Sequence, residues 1–149
     1  GVKHDCSKVM EFTIENNCLK NGYDEPVDIE SDLIFPYLKS SDLVKDSFVD
    51  RKRILVTQRF INEPTDYIQV KYPKTWNYLI EHTEDFKKRK SIIYKNKCRY
   101  SIFSVGDYTF KPYKVAISGL YKSLNFKLIV PLEGKTWPIP SGSNKTVSL

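Results

Sequence analysis

The densest set of groups able to do chemistry lies between Lys114 and Asn125. Around Gly119 the chain offers Ser118, Tyr121, Lys122, Ser123 and Asn125: hydroxyls, a ring, an ammonium and an amide. Donors of these kinds contact phosphate oxygens and base edges. Upstream, Arg99-Tyr100, Phe103, Tyr108, Phe110 and Tyr113-Lys114 interleave cations with planar side chains. A positive surface carrying aromatic rings suits phosphate neutralisation combined with base contact. Tyr100, Phe110 and Phe126 also read as core residues of strands, and Lys114 can snorkel over a sheet face. Lys122, in a Gly-bearing loop, is harder to explain by packing.

Other chemistries find less to work with. Asp107 with Glu133-Gly134-Lys135 has the residue types of a metal-dependent nuclease site, which would take magnesium. Asp66 with Gln69-Val70-Lys71 has the same letters but is too compact, all three falling on one short helix. His4 lies near the start of the chain, and His82 on a helix. There is no G-x-S-x-G elbow, P-loop or C-x-x-C pair.

The elements that must position these groups read as α+β, with one long amphipathic helix and a mostly antiparallel C-terminal sheet. Phe12 and Ile14 suit an edge strand, and Asn21-Gly22 a turn. Residues 33–38 are apolar but carry Pro36, which predicts a short helical turn. Ser41 or Asp42 can cap the turn that follows. Residues 51–58 read as a buried strand. A short helix is expected near 66–70 and a long one from Pro73 to about Lys90, with Trp76, Leu79, Ile80, Thr83 and Phe86 on one face. Glu84 with Lys88, and Asp85 with Arg89, are spaced to pair. Residues 91–99 read as a basic loop and 100–105 as a strand. Val115 and Ile117 mark the packed face of a strand begun after Pro112, and residues 126–130 a second strand. Pro138, Pro140 and Ser141-Gly142-Ser143-Asn144 predict a loop-like tail.

Length and composition bound the answer. The 149 residues are 40% hydrophobic and 28% charged, which suits one globular domain. No apolar run approaches the ~20 residues that span a bilayer, so no membrane partner is expected. Three widely spaced cysteines argue against a disulfide framework and for a reducing, cytoplasmic setting. The net charge is +6, unevenly placed. The first 50 residues carry 5 Lys/Arg against 11 Asp/Glu; the rest carry 19 against 7. That asymmetry favours a polyanionic partner for the basic part. It also allows a protein-interaction module whose acidic third docks a basic partner.

Several segments together resemble a family. Residues 32–36, Leu38-Lys39-Ser40-Ser41-Asp42-Leu43, Tyr72-Pro73-Lys74-Thr75-Trp76-Asn77-Tyr78-Leu79 and Arg89-Lys90-Ser91 occur in that order. Tyr100-Ser101-Ile102-Phe103 with Gly106-Asp107-Tyr108 follows, then residues 112–122 with Phe126. In order and spacing they resemble the C-terminal target-recognition domain of TaqI-like adenine-specific DNA methyltransferases. The match covers roughly residues 27–132, leaving an N-terminal strand and turn region, 1–26, and a tail, 133–149. The resemblance implies a module that recognises double-stranded DNA beside a catalytic domain binding S-adenosylmethionine. This chain carries neither that domain's Asn/Asp-Pro-Pro-Tyr/Phe tetrapeptide nor its Gly-rich cofactor loop. It therefore reads as the recognition fragment of a longer restriction-modification enzyme, with no cofactor and no catalytic residue of its own. Carried over, the resemblance places DNA-facing groups at Lys39, Ser40, Ser41, Lys114, Ser118, Gly119, Tyr121 and Lys122. The lysines would meet phosphates and the serines phosphates or bases. Arg59, after the first buried strand, is placed to read guanine.

Overall fold

The computed structural model describes residues 1–43, 51–118, 126–132, 134–137 and 144–148. The fold is α+β. A helical turn, α1 (Ser7–Met10), leads into β1 (Glu11–Glu15), which hairpins through Asn16-Asn17 into β2 (Cys18–Lys20). Both asparagines sit at positive φ, 49° and 62°, which asparagine tolerates better than most residues. Strands β3 (Pro26–Val27), β4 (Ile34–Pro36) and, after α2 (Ser40–Leu43), β5 (Lys52–Leu55) complete a sheet of order β3-β2-β1-β5-β4. All its pairings are antiparallel.

Two expectations are corrected here. The Phe12 strand is the centre of this sheet, not its edge. Residues 34–36 form a strand, not a helical turn; β4 is an edge strand, where a proline costs no ladder bond on its open side.

The helical layer comprises α3 (Tyr67–Lys71), α4 (Pro73–Glu81) and α5 (Thr83–Lys87). The single long helix expected breaks at His82, whose φ of −100° and ψ of 17° leave the helical region. Pro73 opens α4, and Glu30 supplies its cap from the distant connector. One Glu30 oxygen accepts from Lys74 N (2.9 Å), the other from Thr75 N (2.8 Å) and Thr75 Oγ1 (2.7 Å). The buried face is Thr75, Tyr78, Leu79 and Phe86, with Trp76 half-buried. Ile80, expected there, is 47% exposed. The surface pairs form one residue closer than expected, Lys87 with Glu84 (2.6 Å) and Lys88 with Asp85 (3.7 Å).

Residues 100–105 are not a strand; only Phe103 pairs, in an isolated bridge with Lys3. Side chains rather than a ladder hold this segment. Thr57 Oγ1 donates to Tyr100 O (2.7 Å), Ile102 N donates to Gln58 Oε1 (2.8 Å), and Tyr100 packs edge-on to Trp76 and Phe86. A second sheet contains β6 (Lys114–Ser118), β7 (Phe126–Ile129) and β8 (Asn144–Ser148), with β6 central. The tail expected to be loop-like thus contributes a strand along the whole of β6. The period of two in β6 holds, but the buried face is Lys114 and Ala116, not Val115 and Ile117. Ala116 is small enough for Leu38, Leu43 and Ile129 to close over it as a second apolar cluster. Phe126 is 66% exposed, so its core reading is also corrected.

Candidate nucleic-acid interface

The loop after β5 begins with a buried amide that shapes it. Gln58 Nε2 donates to Glu63 O (2.5 Å), and the Glu63 carboxylate accepts from Arg59 N. Asn62 takes the turn's positive φ of 68°. The result projects Arg59 and Phe60, both exposed, over an open cleft of about 900 Å3. Phe35, Tyr67, Tyr72 and Phe110 supply its aromatic walls, Lys71 and Lys135 its other cations, and Asp32 and Glu63 its two carboxylates. The Arg59 guanidinium stands 4.9 Å from the Phe110 ring, which packs edge-on against Phe35 (5.7 Å). Tyr67 donates its hydroxyl to Thr57 O (3.1 Å), and burial pushes its pKa up to about 12, so the ring stays neutral. The cleft pairs planar surfaces with cations that a phosphate or base edge can meet.

The other anticipated residues fare differently. The backbone of Ser40 and Ser41 opens α2, where Lys39 N donates to Asp42 Oδ2 (2.8 Å). Lys39 is 38% exposed, but its ammonium pairs with Glu11 and lies 5.7 Å from the Tyr37 ring. His4 accepts Cys6 N at Nδ1 (3.2 Å), leaving Nε2 to face the same Glu11 (3.2 Å). Lys114 is not presented to a phosphate. It is 4% exposed, and its ammonium donates to Thr109 O (3.0 Å), Lys111 O (2.9 Å) and the Thr136 hydroxyl. Burial pulls its pKa down to about 8. Its strand position shares the face of Ala116, on which Leu38, Leu43 and Ile129 pack, so Lys114 turns inward.

Ser118 ends β6 opposite Asn144. Gly119, Tyr121 and Lys122 lie outside the described residues. The structure does bring the Lys39–Asp42 segment to β6, because Leu38 and Leu43 pack on Ala116. For the nuclease alternative, Asp107 opens a 3-10 turn, and Glu133 lies outside the described residues. Lys135 Nζ donates to Ser31 O (2.5 Å) and Ile34 O (2.8 Å). Among the described residues no three His, Cys, Asp or Glu stand close enough to share a metal ion. Phe60 and Tyr67 carry no functional expectation from sequence, and Lys71 and Tyr72 enter it only through the compact Asp66 pattern and the family resemblance, although all four repeat the cation–aromatic interleaving seen at 99–122.

No family model matches the chain. Over 136 residues, 91% of its length, it is 49% identical to the Type II methyltransferase M.NspV of Nostoc sp.. The chain is similar to part of a type II methyltransferase. It spans 28% of that relative's length. The similarity supports reading it as a fragment of a restriction-modification methyltransferase. Among the described residues no helix is long and apolar enough to cross a membrane, and all three cysteines are free.

Proposed function

We propose that this chain is the target-recognition part of a TaqI-like adenine-specific DNA methyltransferase, reading double-stranded DNA in the cytoplasm without being catalytic itself. The observation that carries the reading is Arg59, an exposed guanidinium held over an aromatic-walled cleft beside Lys71 and Lys135. An arginine so placed can reach guanine O6 and N7 with two parallel bonds. The rings offer stacking surface, and Lys71 meets a phosphate. S-adenosylmethionine belongs, on this reading, to the catalytic portion of the parent enzyme. The residues here supply no fit for it, since the Gly-rich loop and the Asn/Asp-Pro-Pro-Tyr/Phe tetrapeptide do not occur in the sequence. That catalytic portion is the second partner we propose.

The test is binding of the chain to a random-sequence duplex at two salt concentrations, with and without magnesium, followed by selection of its preferred site. Salt-sensitive binding without cleavage is expected. Arg59→Ala should then lower discrimination at one base pair by about 1–3 kcal/mol while other positions hold. Magnesium-dependent cleavage would instead favour the nuclease built on Asp107, Glu133 and Lys135. Absence of binding at low salt would overturn the recognition reading.

A further inference from the structure

Between Asp85 and Asp107 the sequence carries no carboxylate but seven cations: Lys87, Lys88, Arg89, Lys90, Lys95, Lys97 and Arg99. The fold uses one of them as a pin. Arg89 donates through Nη1 to Ser101 O (2.6 Å) and His4 O (3.3 Å), through Nη2 to Arg99 O (2.8 Å) and through Nε to Phe86 O (3.3 Å). Its guanidinium also lies 3.9 Å from the Tyr94 ring. The loop 91–99 is thereby shaped around a half-buried cation, and the remaining charges point outward. Lys87 and Lys88 meet Glu84 and Asp85. Lys90, Lys95, Lys97 and Arg99 are exposed, and no carboxylate among the described residues pairs with them. They line a groove of about 580 Å3 that contains no acidic side chain.

The groove connects to the Arg59 loop. Lys97 Nζ donates to Asn62 Oδ1 (2.6 Å), a neutral acceptor that leaves its charge uncompensated. A smaller cavity of about 310 Å3, lined by Ile61, Asn62 and Lys97, lies between the two. Several other surface cations are paired with carboxylates. Asp28 pairs with Lys74 (2.8 Å), Asp42 with Lys52 (2.7 Å) and Glu11 with Lys39.

We infer that Lys90, Lys95, Lys97 and Arg99 form a phosphate-tracking ledge that carries the backbone of a DNA duplex toward Arg59. The inference rests on the recognition reading above and assigns that reading its electrostatic footing. The ledge offers uncompensated point charges along a groove, which suits evenly spaced phosphates and carries no sequence preference.

The experiment measures duplex affinity against salt for the full chain and for Lys90→Gln/Lys95→Gln/Lys97→Gln/Arg99→Gln. Each phosphate contact contributes about 0.9 to the slope of log affinity against log salt. The four-site variant should therefore lose up to about 3.6 from that slope. Over a fourfold rise in salt, wild type should weaken up to roughly 150-fold more than the variant. Circular dichroism and the melting temperature should match wild type, and arginine at the three lysine positions should restore the slope. An unchanged slope in a folded variant that still binds overturns the ledge and leaves the recognition reading standing. No duplex binding by wild type overturns both. Tighter binding to an RNA duplex than to DNA overturns the assignment of partner.

Discussion

Lys114 distinguishes a structural lysine from a DNA-contacting one, and its substitution gives opposite results in the two cases. The residue is 4% exposed, and its ammonium has three oxygen acceptors. Burial lowers its pKa from 10.5 to about 8. Below pH 8 the group is charged in folded and unfolded chains alike, and its contribution does not vary with pH. Above pH 8 the folded chain releases the proton while the unfolded chain keeps it to about 10.5. The unfolded state then binds more protons, so this group's contribution to stability rises with pH. One proton corresponds to about 1.4 kcal/mol per pH unit, so from pH 8 to 9.5 the gain is up to about 2 kcal/mol. For a domain of this size that is a shift of roughly 4–8 °C in melting temperature. Cys6 and Tyr67, whose pKa values burial raises, act in the opposite direction, so the quantity to measure is a difference between variants. In Lys114→Met the two melting curves should diverge from wild type by that amount across pH 8–9.5. The salt slope of DNA binding should stay the same. Parallel pH profiles, or a reduced salt slope, would refute the assignment of Lys114 to the interior.

Three further outcomes test the frame around the cleft. Glu30→Gln removes the charged cap of α4 and should cost about 1–2 kcal/mol, read by denaturant unfolding. Hydrogen bonds from Thr75 and Lys74 overcome desolvation and hold the Glu30 pKa at about 2. Its contribution is therefore complete above about pH 4.5 and lost as pH falls through about 2, and the variant's acid limb should lack that component. Gly22→Ala would set a Cβ 2.6 Å from Lys8 Cα, against backbone that cannot rotate away, and should lower stability by about 1–3 kcal/mol. Arg89→Lys keeps the charge but loses the fork to four carbonyls. Amide exchange across 91–101 should accelerate by roughly tenfold or more, corresponding to the ~1.5–3 kcal/mol of charge-assisted bonds.

Much of the secondary structure is legible in the chain because its signals are local. Pro73 and the three- and four-residue spacing of apolar groups announce α4, and β-branched runs announce β5 and β6. The break at His82, by contrast, lies inside an uninterrupted helical pattern and is set where His82 meets the rings of Tyr78 and Tyr23. Residues 100–105 have strand composition, yet side chains from Thr57 and Gln58 take up Tyr100 O and Ile102 N, so no ladder forms there.

The site divides in the same way. Composition and order by themselves determined that the chain is α+β, basic beyond its first 50 residues, and rich in cation–aromatic pairs. Only the tertiary structure decided which cations face outward. Alternation along β6 states that two faces differ, but the packing of Leu38 and Leu43 on Ala116 chose the one holding Lys114 for the interior. Lys39 was drawn to Glu11 from a strand that sequence distance conceals. Arg59 and Lys135, far apart in the chain, share one cleft because the Gln58–Glu63 loop and residues 134–136 meet there. Charge is a property of residue type; its availability depends on which oxygens the fold places within reach.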